Sequence, residues 1–306
     1  MKKITPIFIG FILLFSLMTQ AQQTPHYTQY MYNMQTINPG YVGARADLSI
    51  SLLNRSQWVG VEGAPKTTTF SLNGRAFDGV GFGVTVINDK LGLAESTNVN
   101  LDASYTIVTS QYGRLSLGLK GGVTTFNNNL SEGITPDNDL YGSTNGSYPN
   151  IGVGAFYYNE RFYAGLSMPY LLKTPQFRID DTNTTSGLSE NINYFVTAGM
   201  RFELTNDIMF KPSTMIKYTS NLPISIDLNS NFLYKDQIEF GVSYRYNDSA
   251  SAMFAVILNE KFRIGYTYDH TLTSLGNSLG SHEIMLHLDL DFKKKGRWLH
   301  NTKCYF

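Results

Sequence analysis

The side chains able to do nucleophilic or acid–base chemistry are few and scattered. The five histidines have no H-E-x-x-H or other metal-ligand spacing. A single cysteine, Cys304, excludes an internal disulfide and any zinc site with two or more thiolates. No G-x-S-x-G elbow or P-loop is present, and the glycines of 79–83 lie in a strand pattern with no helix after it. The sequence predicts no catalytic residues, no metal and no cofactor.

The charge content bounds the class of protein. Charged residues make up only 16% of the chain and aromatic residues 13%, whereas soluble domains carry roughly 25% charged residues. The 24 basic and 24 acidic residues balance. Since there is no Lys/Arg cluster of the kind that binds phosphate backbones, we expect no nucleic acid as a partner.

After residue 45, apolar and polar side chains alternate with a period of two, which places them on opposite faces of a strand. Ile284, Leu286 and Leu288 share one face of the last clear segment, and Glu283 and His287 share the other. About fourteen segments of roughly 9 to 13 residues repeat this pattern, which is the length of a tilted bilayer-spanning strand. They begin near Ala46, Lys66, Gly79, Ser96, Gly113, Pro149, Arg161, Asn191, Asp207, Pro223, Gln237, Ser249, Phe262 and Ser281.

These segments predict an all-β fold, a transmembrane antiparallel β-barrel of about fourteen strands with a short irregular N-terminal segment. Every second connection is short, while the others include the long stretches 127–148 and 171–190. Outer-membrane barrels show this asymmetry between periplasmic turns and extracellular loops. We therefore expect an integral protein of the outer membrane.

Aromatic residues at the segment ends are predicted to form girdles at the two membrane interfaces. They are Tyr157, Tyr158, Phe162, Tyr163, Tyr170, Tyr194, Phe202 and Tyr218. The soluble alternative is an extracellular β-sandwich or β-helix adhesin, which also alternates. It is disfavoured because such proteins rarely combine so little charge with strands this long.

The first 21 residues have the features of a signal peptide. Lys2 and Lys3 precede the apolar stretch 4–17, and small residues suit cleavage after Ala21. We expect the exported chain to begin at Gln22.

The mature chain divides into three parts. Residues 22–45 are too irregular for a membrane strand and are expected in the periplasm or inside the barrel. The barrel is predicted over 46–292, and 293–306 is expected to be a periplasmic tail.

One enzymatic alternative is an outer-membrane phospholipase, which uses a paired serine and histidine. In this sequence His287 and Ser281 could form such a pair. However, the neighbouring Asp289 and Asp291 explain His287 as an ordinary polar partner.

Three ordered motifs lie between residues 26 and 92. The stretches 26–33 and 37–43 read HYTQYMYN and INPGYVG, 54–67 reads NRSQWVGVEGAPKT, and 88–92 reads NDKLG. Together they resemble the signature of the PorP/SprF family, outer-membrane proteins of the type IX secretion and gliding machinery of Bacteroidetes. Gly40 and Val42 replace two alanines of the family pattern.

The matching residues are the candidates for partner binding or for a lumen motif. They are Gln29, Tyr30, Asn38, Pro39, Tyr41, Gly43, Arg55, Gln57, Trp58, Gly60, Gly63, Pro65, Asn88, Asp89 and Gly92. Several of these types also shape turns, and a tryptophan can anchor a loop at the membrane interface. Arg55 and Gln57 are the stronger functional candidates, since buried polar groups in a lumen must be paired and a polar network there could hold the N-terminal segment.

The resemblance implies a non-catalytic component of type IX secretion. Its expected partners are outer-membrane lipid, other components of that system, and a secreted surface protein with a type IX C-terminal sorting domain, possibly a gliding adhesin. The protein would help to export or anchor that cargo. The alternative is a passive porin or small-solute channel.

Overall fold

The computed structural model describes residues 26–128, 144–172, 175–177, 186–188, 192–220, 222–273, 279–292 and 304. Within these ranges, fourteen strands form one closed antiparallel β-barrel, in which the first strand pairs with the last. None of the described helices is long and apolar enough to cross a membrane.

The barrel strands are β1 (Leu48–Ser56), β2 (Lys66–Phe77), β3 (Val80–Leu91), β4 (Ala94–Val108), β5 (Arg114–Asn128), β6 (Thr144–Tyr158), β7 (Phe162–Met168), β10 (Asn193–Met200), β12 (Ile208–Thr219), β13 (Ser225–Tyr234), β14 (Ile238–Arg245), β15 (Ser249–Leu258), β16 (Phe262–Thr271) and β17 (Ser281–Leu290). Outside this ring, β8 (Pro175–Phe177) pairs with β9 (Ser186–Leu188), and β11 (Phe202–Glu203) pairs with β12.

The predicted barrel is confirmed strand by strand. The largest shift is in β6, which begins at Thr144, five residues before the predicted Pro149. The direction in which each side chain points follows the alternation of apolar and polar residues in the sequence. In β4, Leu101 and Tyr105 are 64% and 59% exposed, whereas Asn100 and Asp102 are 0% and 2% exposed. The apolar face therefore meets lipid and the polar face lines the lumen, which explains the low charge content.

Three aromatic positions predicted for the girdles are wrong. Tyr170 lies against the lumen residues Asn100 and Asp102. Tyr158 and Tyr163 lie inside the barrel, where their ring centroids are 5.8 and 5.6 Å from that of Phe156. Their position along each strand decides this, because Phe156 and Tyr158 are two residues apart and must share a face. Tyr194 and Tyr218 do point outward, as predicted.

The segment from His26 to Arg45 lies inside the barrel, and we call it the plug. Residues 27–44 are all buried. The plug forms three short 3₁₀-helices, Tyr30–Tyr32, Met34–Thr36 and Pro39–Tyr41. Its aromatic and methionine side chains supply much of the hydrophobic core, which in this fold lies within the lumen.

One residue of the C-terminal tail also reaches the plug. Cys304 is 1% exposed, and its backbone N–H donates to the carbonyl oxygen of Ala44 at 3.0 Å. At this residue the tail therefore contacts the interior of the barrel. The terminal Phe306 lies outside the described residues.

Glycines on the inner face of the barrel let the plug approach the wall. A Cβ atom added at Gly81 of β3 would lie 2.5 Å from the carbonyl oxygen of Val42, and one at Gly118 of β5 would lie 2.5 Å from that of Pro39. Real Cβ atoms do not come that close to backbone atoms. Glycine at these positions is therefore required by the plug, consistent with the close packing that strand glycines allow.

We expect Gly118→Val to lower the free energy of unfolding by about 1–3 kcal/mol, because the new side chain must displace the backbone of the plug. Gly121→Val in the same strand is the matched control, since a Cβ there meets nothing within 4 Å. Urea titration of both variants in detergent micelles, followed by heat-modifiable gel mobility, measures the difference. Equal losses in the two variants would contradict this role for Gly118.

Candidate functional site

Clusters of buried charge hold the plug along its length. Near its amino-terminal end, Arg55 of β1 lies 2.5 Å from Asp269 and 3.0 Å from Glu283. The backbone N–H groups of Thr28 and Gln29 donate to Glu283 at 3.0 and 2.8 Å, and the Thr28 hydroxyl donates to Asp269 at 3.0 Å. One guanidinium and two plug residues thus satisfy two buried carboxylates.

A second cluster holds His26, the first described residue of the plug. Its Nε2 lies 2.9 Å from Asp227, which Arg245 also contacts with two nitrogens at 2.9 and 3.1 Å. Burial, assisted by the Arg245 charge, lowers the pKa of His26 to about 4. The imidazole is therefore neutral at pH 7, and the Asp227 charge is balanced mainly by Arg245.

A third cluster surrounds Tyr32. Glu239, which is 0% exposed, accepts hydrogen bonds from the Tyr32 hydroxyl and from Arg263, and Lys211 lies 3.4 Å away. Both cations also lie over the Tyr32 ring, with Arg263 4.2 Å and Lys211 5.1 Å from its centroid. The aromatic face therefore complements the surplus positive charge of this group.

A fourth cluster lies where the plug joins β1. Arg45 contacts Asp289 at 2.6 Å, Asp289 accepts from Ser49 at 2.6 Å, and His287 Nε2 lies 3.0 Å from the same carboxylate. The other imidazole nitrogen of His287 lies 2.5 Å from the Ser51 hydroxyl.

This Ser51–His287–Asp289 arrangement has the residue types of a catalytic triad. Ser51 and His287 are only 4% and 2% exposed, and Arg45 of the plug lies on the carboxylate. A lipid ester has no access to that hydroxyl while the plug is in place. The phospholipase alternative pairs Ser281 with His287, but these two residues are not brought together. Ser281 lies at the other end of β17, where its hydroxyl accepts a hydrogen bond from the Trp58 N–H.

Candidate residues of the first motif form part of the plug. The Asn38 side chain accepts from the Gly40 N–H at 2.8 Å and donates to the Ala155 carbonyl oxygen at 3.1 Å, so it caps one 3₁₀-helix and ties it to β6. Pro39 lies against Gly118, and the Tyr41 ring packs edge-on against a lumen phenylalanine, with centroids 5.4 Å apart.

The remaining candidates in the plug form hydrogen bonds with, or pack against, other strands of the barrel. Gln29 lies against Gly265, and the Tyr30 hydroxyl accepts from Asn229 at 3.1 Å. Gly43 has a φ of +76° and lies against Gly81, where a side chain would be strained and would find no room.

The other candidates lie at the rim of the barrel where β1 and β3 end and β17 begins, in a surface that we call the outer platform. It comprises residues 57–65, 88–92 and 279–280. Val59 exchanges backbone hydrogen bonds with Leu279 and Gly280 at 2.9 and 2.8 Å, and Gly92 donates to the Gly63 carbonyl oxygen at 2.9 Å. The three connections therefore form one hydrogen-bonded unit.

Left-handed backbone conformations give the outer platform its shape. Trp58, Gly60, Gly63 and Gly92 have φ values of 44°, 93°, 71° and 57°. Three of these four are glycines, which adopt such angles without strain.

One backbone bond and two side-chain bonds hold the remaining candidates in place. The Gln57 N–H donates to the Pro65 carbonyl oxygen at 2.9 Å, and the Asn88 side chain donates to Glu95 at 2.8 Å. Asp89 accepts from the buried Thr67 hydroxyl at 2.5 Å, so its carboxylate lies on the lumen-facing side of β3.

The structure thus separates the two residues expected to act together in the lumen. Arg55 lies inside the barrel, whereas Gln57 lies in the outer platform because β1 ends at Ser56. Sequence reasoning missed the carboxylates that hold the plug. Their only signal was a charged residue at a lumen-facing position of a strand. Within the described residues, no group of three or more His, Cys, Asp or Glu side chains is placed to hold a metal ion.

Solved structures similar to this chain are outer-membrane barrels at low sequence identity. The Ralstonia pickettii toluene transporter TbuX has 10% identity and a TM-score of 0.48 over 83% of this chain and 92% of its own. The CymD monoaromatic hydrocarbon channel has 10% identity and a TM-score of 0.47 over 86% and 100%. The Acinetobacter baumannii outer membrane protein Omp33 has 8% identity and a TM-score of 0.46 over 82% and 100%.

No curated protein matches this chain. The model of a family described as "Type IX secretion system membrane protein PorP/SprF" matches residues 19–288. That range includes the plug, the outer platform and nearly the whole barrel. The chain belongs to the PorP/SprF family.

Proposed function

We propose that this protein is a non-catalytic outer-membrane component of type IX secretion that helps to export or anchor a cell-surface protein through its C-terminal sorting domain. The observation that carries the proposal is the occupied lumen. Residues 27–44 are buried inside the barrel and bonded to strands on opposite sides of it, for example to Asp102 of β4 through Gln35 and to Asn229 of β13 through Tyr30.

An occupied lumen favours an anchor over a passive channel. Solute flow requires the plug to move. This movement would take the plug groups away from the lumen carboxylates that they pair with. Glu283 would lose two backbone donors and Asp289 would lose Arg45. These hydrogen bonds and ion pairs, together with the burial of residues 27–44, favour the plugged state.

The outer platform is the surface proposed to meet the partner. Loops carried on a rigid scaffold are where recognition concentrates, and the hydrogen bonds among these three connections provide that rigidity. The platform exposes apolar side chains, with Val61 43% and Leu279 66% exposed. Exposed apolar groups on an ordered surface suit contact with another protein.

The first test is conductance in planar bilayers. We expect the purified protein to show no large, steadily open pore. Arg55→Met leaves Asp269 and Glu283 without their cation, so it should free the amino-terminal end of the plug and raise the time spent open. The control is Asn54→Met, since Asn54 is the preceding residue of β1 and faces outward. A large open pore in the unmodified protein would favour the porin alternative.

The second test is surface display in cells. Deletion of the gene should abolish the surface exposure of at least one protein with a sorting domain, and leave the amounts of unrelated barrels unchanged. Whole-cell protease shaving followed by mass spectrometry measures both. Normal display of every such protein in the deletion strain would refute the proposal.

The third test addresses the outer platform. When the gene for the Val61→Asp variant replaces the normal gene, we expect less of the affected cargo on the cell surface. The reason is that a carboxylate on this apolar surface opposes protein contact. Asn247→Asp adds the same charge to an exposed outer turn away from the platform and should leave display intact. Quantitative immunoblotting of the cell-surface fraction compares the two. If both variants display cargo normally, the platform is not the contact surface.

A further inference from the structure

We infer that the plug is threaded through the barrel with its amino-terminal end at the extracellular mouth, so that the protein presents this end to the outside of the cell. The inference concerns the direction of the plug and holds whether or not the proposed role in secretion is correct.

The connections identify which rim is extracellular. Long stretches, 129–143 and 169–192, join strands at one rim, whereas the turns at 78–79, 159–161 and 235–237 join strands at the other. Short turns are periplasmic and longer loops extracellular in outer-membrane barrels. β1 begins and β17 ends at the periplasmic rim by this rule.

The amino-terminal end of the plug contacts strand residues at the extracellular rim. His26 lies against Asp227, the third residue of β13, and that carboxylate pairs with Arg245, the last residue of β14. Thr28 bonds to Glu283, the third residue of β17, and to Asp269, the third residue from the end of β16. All four strand residues lie within three positions of the outer ends of their strands.

The other end of the plug lies at the periplasmic rim. Arg45 contacts Asp289, the last residue but one of β17, and Gly43 lies against Gly81, the second residue of β3. Glu283 and Asp289 are separated by six residues of one strand, which at roughly 3.4 Å per residue is about 20 Å. The two ends of the plug therefore lie at different depths.

This direction has a physical consequence for access. The plug is joined to β1 at the periplasmic rim, so its amino-terminal end is the end that a partner outside the cell can reach. His26 retains 14% side-chain exposure, whereas the residues from 27 to 44 are buried. The neighbouring Asp248, which also contacts Arg245, is 46% exposed. A peptide joined to the amino side of His26 would thus continue into the extracellular space.

The test uses a short epitope inserted directly before His26 in the full-length protein. We expect antibody to bind it on intact cells, as it should bind the same epitope inserted in the exposed outer turn at Asn247. The same epitope in the turn at Lys235 and Asp236 should be detected only after the outer membrane is permeabilised. Detection before His26 only after permeabilisation would overturn the inference.

A cross-linking measurement decides the matter if the insertion prevents folding. Two double-cysteine variants are made in a Cys304→Ser background, His26→Cys with Asp227→Cys and His26→Cys with Asp289→Cys. A short bismaleimide should cross-link the first pair and leave the second pair unlinked. The reverse pattern would place the amino-terminal end at the periplasmic rim and overturn the inference.

Discussion

The fold depends on the requirement that buried polar groups be paired. In the bilayer every backbone N–H and C=O must find a partner within the protein, so the strands close into a ring through the pairing of β1 with β17. Closure creates a lumen lined by the polar half of each alternating strand. Because this lumen contains charged groups as well as amides and hydroxyls, it is stable only when their partners are in place.

The plug supplies whichever partner each region of the lumen lacks. Asp269 and Glu283 share one guanidinium, Arg55, so carboxylate is in excess there, and backbone N–H groups and a hydroxyl of the plug complete the set. Around Glu239 the imbalance is reversed, and the plug places the ring and hydroxyl of Tyr32 there. The barrel wall and the plug are thus electrostatically complementary, and neither is satisfied without the other.

Facing and strand number were predictable from the sequence because alternation is a local property of the chain. Tyr158 and Tyr163 were wrongly predicted because an aromatic residue near a strand end suggests the membrane interface. Its position along the strand decides whether its side chain faces lipid or the lumen. The location of the plug had no such signal, since an irregular segment has no period. Its partners are equally non-local, because Arg55 meets Glu283, 228 residues away, only once the barrel has closed.

The two groups of motif residues are physically connected even though they lie in different surroundings. Arg55 belongs to the charge cluster around Thr28, and two residues later Gln57 begins the outer platform. Ser281, which accepts the Trp58 N–H, likewise lies two residues before Glu283 on β17. The platform is therefore attached to the ends of both strands, β1 and β17, whose charged residues hold the plug. One motif therefore spans the plug, the end of β1 and the loop that follows it, because these parts are joined by hydrogen bonds at neighbouring strand ends.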